Sequence, residues 1–268
     1  MADELRLGYS PCPNDTFMFN AIAGGDVGVA GYRMTPVLHD VETLNEMARR
    51  DTLEVTKLSF YAWLKVKERY RLLDSGAAMG FGCGPVLIAK KNVSRSDIHR
   101  CRVVLPGQWT TAHLLFRLWA PDARQRMFTT YDRIFETVAS GQADCGVVIH
   151  ESRFTFQSAG FSLVADLGNW WQERTGLPIP LGGIAARKNL GEPLIAEVDA
   201  AVAKSIQRAM DHPAKALPYI RQHAREMDEG VLQAHIRTFV NDFSLRLPAQ
   251  GHRAVETLES MARDAGAI

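Results

Sequence analysis

The sequence predicts an α/β protein of two lobes, each a sheet flanked by helices, with the chain crossing between them twice. Three observations predict it. Short apolar strands alternate with helical runs between residues 5 and 149, the pattern of βαβ units and a largely parallel sheet. Residues 85–92 and 182–189 echo one another: each is a small-residue strand that ends in Ala, a basic residue, Lys and Asn. They read as the two crossings. Beyond the second, alternation stops and residues 195–265 read as consecutive amphipathic helices.

Taken in order, residues 5–9 alternate like a strand, and Pro11 and Pro13 punctuate the loop before a helical run at 17–22. A strand at 32–38 leads to a helix at 41–50, whose apolar stripe is Val41, Leu44, Met47 and Ala48. A third strand rises from Leu53 through Val55 into Lys57, Leu58 and Ser59, and a helix is expected over 60–70. The glycine-dense stretch 76–84 then feeds the first crossing. A second series follows: a strand at 101–105, a Pro106-Gly107 turn, helices at 110–119 and 133–140, and a strand at 145–149 that ends on His150. The tail helices are expected at 195–210, 213–225, 229–240 and 248–265, packed on the first lobe. Residues 1–88 with 187–268 therefore form a discontinuous first lobe, and 89–186 an inserted second lobe. Two hinge strands between two α/β lobes describe a type II periplasmic-binding-protein-like fold.

Composition narrows the function classes. Of 268 residues, 46% are hydrophobic and 23% charged, so a soluble globular protein with a substantial core is expected. A net charge of +1 and the absence of any long like-charge block argue against a nucleic-acid surface, which needs clustered Lys and Arg. Cys12, Cys83, Cys101 and Cys145 are scattered without metal-ligand spacing, so neither a structural metal nor a disulfide is expected. The first residues lack an apolar leader core, and no apolar run reaches the roughly 20 residues that span a bilayer. A cytoplasmic protein without membrane partners is the expectation.

In such a fold, ligands lie where strand ends meet helix starts, because the first amides of a helix lack intrahelical partners. Three segments qualify. The first holds Asn14, Asp15 and Thr16; the second Lys57, Leu58 and Ser59; the third Gln108, Trp109, Thr110, Thr111 and Ala112. Each can also be plain helix capping. His150 ends an apolar strand, where an imidazole can serve as a general base near neutral pH without a large pKa shift, or stand as an ordinary surface histidine. Glu151 either orients it or is surface charge. Cys12 and Cys83 are nucleophile candidates without an evident base, and Trp170-Trp171 either stacks a planar ligand or packs in the core. No nucleophile elbow, phosphate loop or dinucleotide fingerprint is present.

Several motifs in fixed order carry a resemblance: residues 10–16, the 57–59 segment, Pro106-Gly107 with Thr110, Thr111 and Ala112, residues 148–151, and 166–171 followed by Pro178, Pro180 and Gly183. Together they resemble the 1,4-dihydroxy-6-naphthoate synthases of the futalosine route to menaquinone, from about residue 5 to at least 190. The resemblance implies a lyase that splits cyclic dehypoxanthinyl futalosine into 1,4-dihydroxy-6-naphthoate and a sugar-derived fragment, without cofactor or metal. It implies His150 as proton acceptor and Lys57, Leu58, Ser59, Thr111 and Ala112 as residues that bind an anionic small-molecule substrate, with Thr110 and Asn14 as further candidates. Trp109 before the threonine pair departs from the family pattern and bears on the shape of the cleft wall. Two other readings stand beside this one: chorismate dehydratase of the same pathway, and a cytoplasmic solute-binding module.

Overall fold

The computed structural model describes residues 3–150, 152–224 and 228–268. The chain opens with β1 (Asp3–Tyr9), α1 (Pro13–Ala23), β2 (Tyr32–Leu38), α2 (Val41–Arg49), β3 (Val55–Ser59) and α3 (Phe60–Val66). β1 pairs in parallel with β2, from Asp3 opposite Tyr32 to Tyr9 opposite Leu38, and on its other side with β3. Every residue of β3 is buried, as a central strand covered on both faces requires. α1 begins with Pro13, whose missing amide is one that a first turn cannot use. It is buried almost all round, because α8 (Glu192–Asp211), α9 (Pro213–His223) and α10 (Glu229–Phe239) pack against it. In α2 the Asp40 side chain caps the amides of Glu42 and Thr43, and Val41, Leu44 and Ala48 turn inward.

The middle of the chain builds a second sheet. After β4 (Tyr70–Leu72) and β5 (Ala78–Gly80), it runs through β6 (Val86–Ala89), β7 (Val103–Leu105), α4 (Thr111–Trp119), β8 (Arg126–Phe128), α5 (Ile134–Ala139), β9 (Cys145–Val148), α6 (Ser152–Thr155), β10 (Ser162–Asp166) and α7 (Leu167–Thr175). The strand order is β10-β6-β9-β7-β8. The chain returns to the first sheet through β11 (Ile179–Arg187), which gives that sheet the order β2-β1-β3-β11-β4 with β5 paired to β11. After α10 come α11 (Asp242–Leu245) and α12 (Ala249–Asp264).

The two echoing segments each follow a crossing and join one sheet apiece: β6 pairs with β9 and β10, and β11 with β3, β4 and β5. The passages between sheets are therefore the glycine-rich loop before β6 and the short turn before β11. Both sheets are mixed, because β6 and β11 run antiparallel to their neighbours. The helix expected over 60–70 ends at Val66, since Tyr70 is drawn into β4, fully buried, with its hydroxyl on the Leu53 carbonyl at 2.7 Å. The tail does not pack on the first sheet alone. α12 touches both β11 and α4, and Leu258 shares one core with Leu87, Leu105 and Leu115. Arg225, expected at the end of one tail helix, lies outside the described residues.

The loop into the second sheet is held by close packing against α7. A Cβ on Gly168 would stand 1.8 Å from the Cys83 carbonyl oxygen, backbone that cannot move away. Gly168→Ala should therefore destabilise the protein by about 1–3 kcal/mol or more, seen as a lower urea midpoint with an unchanged slope. Wild-type stability would contradict this packing.

Candidate active site

A cavity opens between the two sheets, and its wall includes Asn14, Lys57, Leu58, Ser59, Thr110, Thr111, Ala112 and His150. The structure thus brings these eight residues, the implied base and substrate-binding set, around one cleft. They come from four places near strand ends: the first turn of α1, the end of β3, the start of α4 with its cap, and the second residue after β9. Leu181 and Gly182 of β11 and Phe239 of α10 complete the wall.

Beneath that wall lies a buried polar network. The Asp15 carboxylate accepts from Ser10 N at 3.0 Å and Ser10 Oγ at 2.5 Å on one oxygen. On the other it accepts from Asn14 Nδ2 at 2.8 Å and from the Lys57 ammonium. Lys57 is therefore not an uncommitted cation: its counter-ion is supplied by the protein, and both partners are almost wholly removed from water. Because Asn14 donates its amide to Asp15, its Oδ1 must face His235, whose Nε2 lies 2.9 Å away. His235 is thus held with its proton on Nε2, and its buried Nδ1 has no hydrogen-bond partner among the described residues. Burial, then His150, then Lys57, keep its pKa well below the ordinary imidazole value.

His150 is half-buried. Its backbone sits at φ 56°, a left-handed conformation in which His is tolerated better than most residues. The ring meets Tyr131 edge-on at 4.9 Å and lies nearly parallel to His235 at 6.2 Å. Burial, followed by the Lys57 charge, pushes its pKa down to about 4, against a smaller opposing pull from Asp15 and Asp40. The sequence suggested a base needing no large shift; the structure shifts it well down. The imidazole is consequently neutral throughout the physiological range. Glu151, its expected neighbour, lies outside the described residues.

The helix starts divide their labour in a way that the sequence did not reveal. Ser59 occupies the cap position of α3 but does not cap it. Its amide donates to Asn45 Oδ1 at 3.0 Å and its hydroxyl accepts from Asn45 Nδ2 at 3.2 Å, which leaves the hydroxyl proton available. At α4, the Glu42 carboxylate takes the Trp109 amide at 3.0 Å, while the Thr110 side chain accepts from His113 N. The Thr111 hydroxyl is also committed, donating to the Leu181 carbonyl at 2.7 Å and accepting from Tyr61 N at 3.3 Å. What the α4 start offers the cleft is thus the amides of Thr111 and Ala112, which have no acceptor among the described residues. Trp109 does not line the cavity; its indole donates to Glu46 at 2.7 Å, and the Arg49 guanidinium covers its ring.

Other candidates fall away. Burial pushes the Cys83 thiol up to about 11, far from a reactive thiolate. Trp171 is fully buried with its indole on the Pro178 carbonyl, so it is core. No group of metal-ligating side chains occurs among the described residues. Missed in the sequence were Glu42, Asn45 and His235. The signal for His235 was present: it is a polar residue on the α10 face that otherwise buries Leu232, Ile236 and Phe239.

Comparison with known proteins gives consistent matches. A family model described as menaquinone biosynthesis matches residues 5–264, so the likeness includes the helical tail. A 1,4-dihydroxy-6-naphtoate synthase of Thermus thermophilus is 47% identical over 264 residues, 98% of this chain and 96% of that protein. One of Streptomyces coelicolor is 40% identical over 273 residues, 100% of this chain and 95% of that protein. The crystal structure of an Archaeoglobus fulgidus protein superposes with a TM-score of 0.93 at 34% identity, over 99% of this chain and 98% of that one. An alkanesulfonate-binding protein of Xanthomonas axonopodis pv. citri superposes at 0.71 with 14% identity, over 100% and 95%. At that identity the likeness is one of fold, and the fold is periplasmic-binding-protein-like.

Asp15→Asn leaves the Lys57 ammonium buried without a counter-ion and should cost about 3–5 kcal/mol of stability, measured by urea unfolding. Adding Lys57→Met should recover most of that loss. A double variant no more stable than Asp15→Asn would show that the pair is not the seat of the effect.

Proposed function

The chain belongs to the menaquinone-biosynthesis family, and from that premise we propose that it is a carbon–carbon lyase converting cyclic dehypoxanthinyl futalosine to 1,4-dihydroxy-6-naphthoate. One observation carries the reading: a neutral imidazole, His150, stands in a cleft whose lining also presents two unpaired amides and a serine hydroxyl. The amides of Thr111 and Ala112, at the positive end of α4, suit the substrate carboxylate. Ser59 suits a neighbouring oxygen.

With the carboxylate anchored there, His150 removes the proton of a hydroxyl on one of the two carbons of the bond that breaks. The oxygen's electrons form a carbonyl, the carbon–carbon bond cleaves, and its electron pair passes into the ring system, which becomes aromatic. No redox change is involved, so a single positioned base suffices. A base depressed to about 4 in the free protein is weak, but it is deprotonated before substrate arrives. An anionic substrate then raises its proton affinity by adding negative charge opposite Lys57. Holding the reacting groups together between two sheets supplies orientation and excludes water.

Incubation of the purified protein with cyclic dehypoxanthinyl futalosine should release the naphthoate, read by absorbance and mass, whereas chorismate should be returned unchanged. Turnover of chorismate alone, or binding without turnover, would refute the proposal.

His150→Asn keeps a residue that tolerates the left-handed backbone but cannot take the proton. It should fold, bind product, and lose roughly 100-fold or more in kcat. The sign of the pH dependence follows from the shift. The free imidazole stays unprotonated down to about 4, so kcat/KM in the unsubstituted protein should hold through pH 6 and fall only as pH approaches that value. An acid limb centred near the ordinary imidazole value of about 6.5 would contradict the electrostatics described above.

A further inference from the structure

Cys12 closes the β1–α1 loop between Pro11 and Pro13 and forms the cap position of α1. Its carbonyl accepts from Asp15 N at 3.1 Å, Thr16 N at 3.0 Å and Thr16 Oγ1 at 3.0 Å, so its backbone is fixed from three directions. The side chain is buried, and its sulfur lies 3.6 Å from His150 Nδ1. That contact joins the loop after the first sheet's β1 to the second residue after the second sheet's β9.

A neutral imidazole carries one proton and one lone pair on different nitrogens. If His150 is to accept a proton from a ligand in the cleft, the nitrogen remote from Cys12, Nε2, must hold the lone pair. The proton must then sit on Nδ1, facing the sulfur. We propose that Cys12 is the positioning residue of His150: its sulfur accepts the Nδ1 proton and so fixes both the ring's orientation and the tautomer in which Nε2 is a base. This rests on the lyase reading for its consequence in turnover, but not for its geometry. A sulfur acceptor is weak and uncharged when the thiol keeps its proton, so it orients the ring without adding the basicity that a carboxylate would confer. It thereby fits a site in which the base is neutral before the substrate binds. Because the two partners belong to different sheets, the tautomer is imposed only where the cleft walls meet.

The test uses the full-length protein. Nitrogen-15 spectra of histidine-labelled protein at pH 7 should show His150 protonated on Nδ1 and bare on Nε2; a proton on Nε2 would overturn the proposal. In steady-state assays with the cyclic futalosine derivative, Cys12→Ala should lower kcat roughly tenfold or more, as loss of a tautomer-setting partner does, with KM within about twofold. Cys12→Ser, which restores an acceptor at this position, should recover most of that loss. Unchanged kcat in a folded Cys12→Ala protein would refute the role. Should that variant fail to fold, the spectra of the unsubstituted protein and the kinetics of Cys12→Ser still decide. Absence of turnover in the unsubstituted protein would count against the lyase reading, while the spectra would continue to test the tautomer.

Discussion

The buried Asp15–Lys57 pair is the constraint on which the site depends. It ties the first turn of α1 to the middle of β3. Taking two charges out of water is costly, and attraction repays that cost only when remaining acceptors are also satisfied. Here both Asp15 oxygens are doubly used, by Ser10 on one side and by Asn14 and Lys57 on the other. Satisfaction on that scale fixes every donor's direction. Through Asn14 it fixes the tautomer of His235 on α10, and, after burial, its Lys57 charge lowers the proton affinity of His150 against a smaller pull from Asp15. One ion pair therefore couples three elements distant in sequence.

The second requirement is that the two sheets face one another in a defined pose, and the α4 start meets it by spending most of its own hydrogen-bonding groups on the protein. Glu42 binds the Trp109 amide, Glu46 the Trp109 indole, and the Thr111 hydroxyl reaches Leu181 and Tyr61. Burial raises the proton affinity of Glu42, opposed by its hydrogen bonds from Asn45, Trp109 and Gln108. Gly107, at φ 150° with Glu42 packed where a Cβ would stand, is the residue that allows this approach. The selectivity of the arrangement follows: only the amides that remain, those of Thr111 and Ala112, are left for a ligand.

Local signals were legible in the sequence, and pairings between distant segments were not. Strand ends, helix starts and the apolar strand delivering His150 follow from residue order, because capping and periodicity act within a few residues. The sheet membership of residues 85–92 and 182–189 does not, since two similar apolar segments can pair with either sheet and only tertiary packing decides. β5, β8 and β10 are short and weakly patterned, and their pairing partners rather than their own composition make them strands. The same limit applied within the site. Sequence could nominate Lys57 and Thr111, but that the first is neutralised by Asp15 and the second committed to Leu181 is a fact about neighbours far along the chain.

His150 shows how the scaffold's constraints converge on one side chain. β9 ends at Val148, and the chain must turn at once. A residue at φ 56° accomplishes the turn at a cost of about 1 kcal/mol or more for most side chains. Glycine would relieve that strain but deliver no imidazole. The strained backbone is held by β9 pairing with β6 and β7 on both sides, so the strand's stability, not the loop's, sustains it. This left-handed position is also the one whose ring is lowered in proton affinity by burial and Lys57. Both departures are tolerated for the same physical reason: neighbours from both sheets determine where the ring can be, and the single residue yields to them.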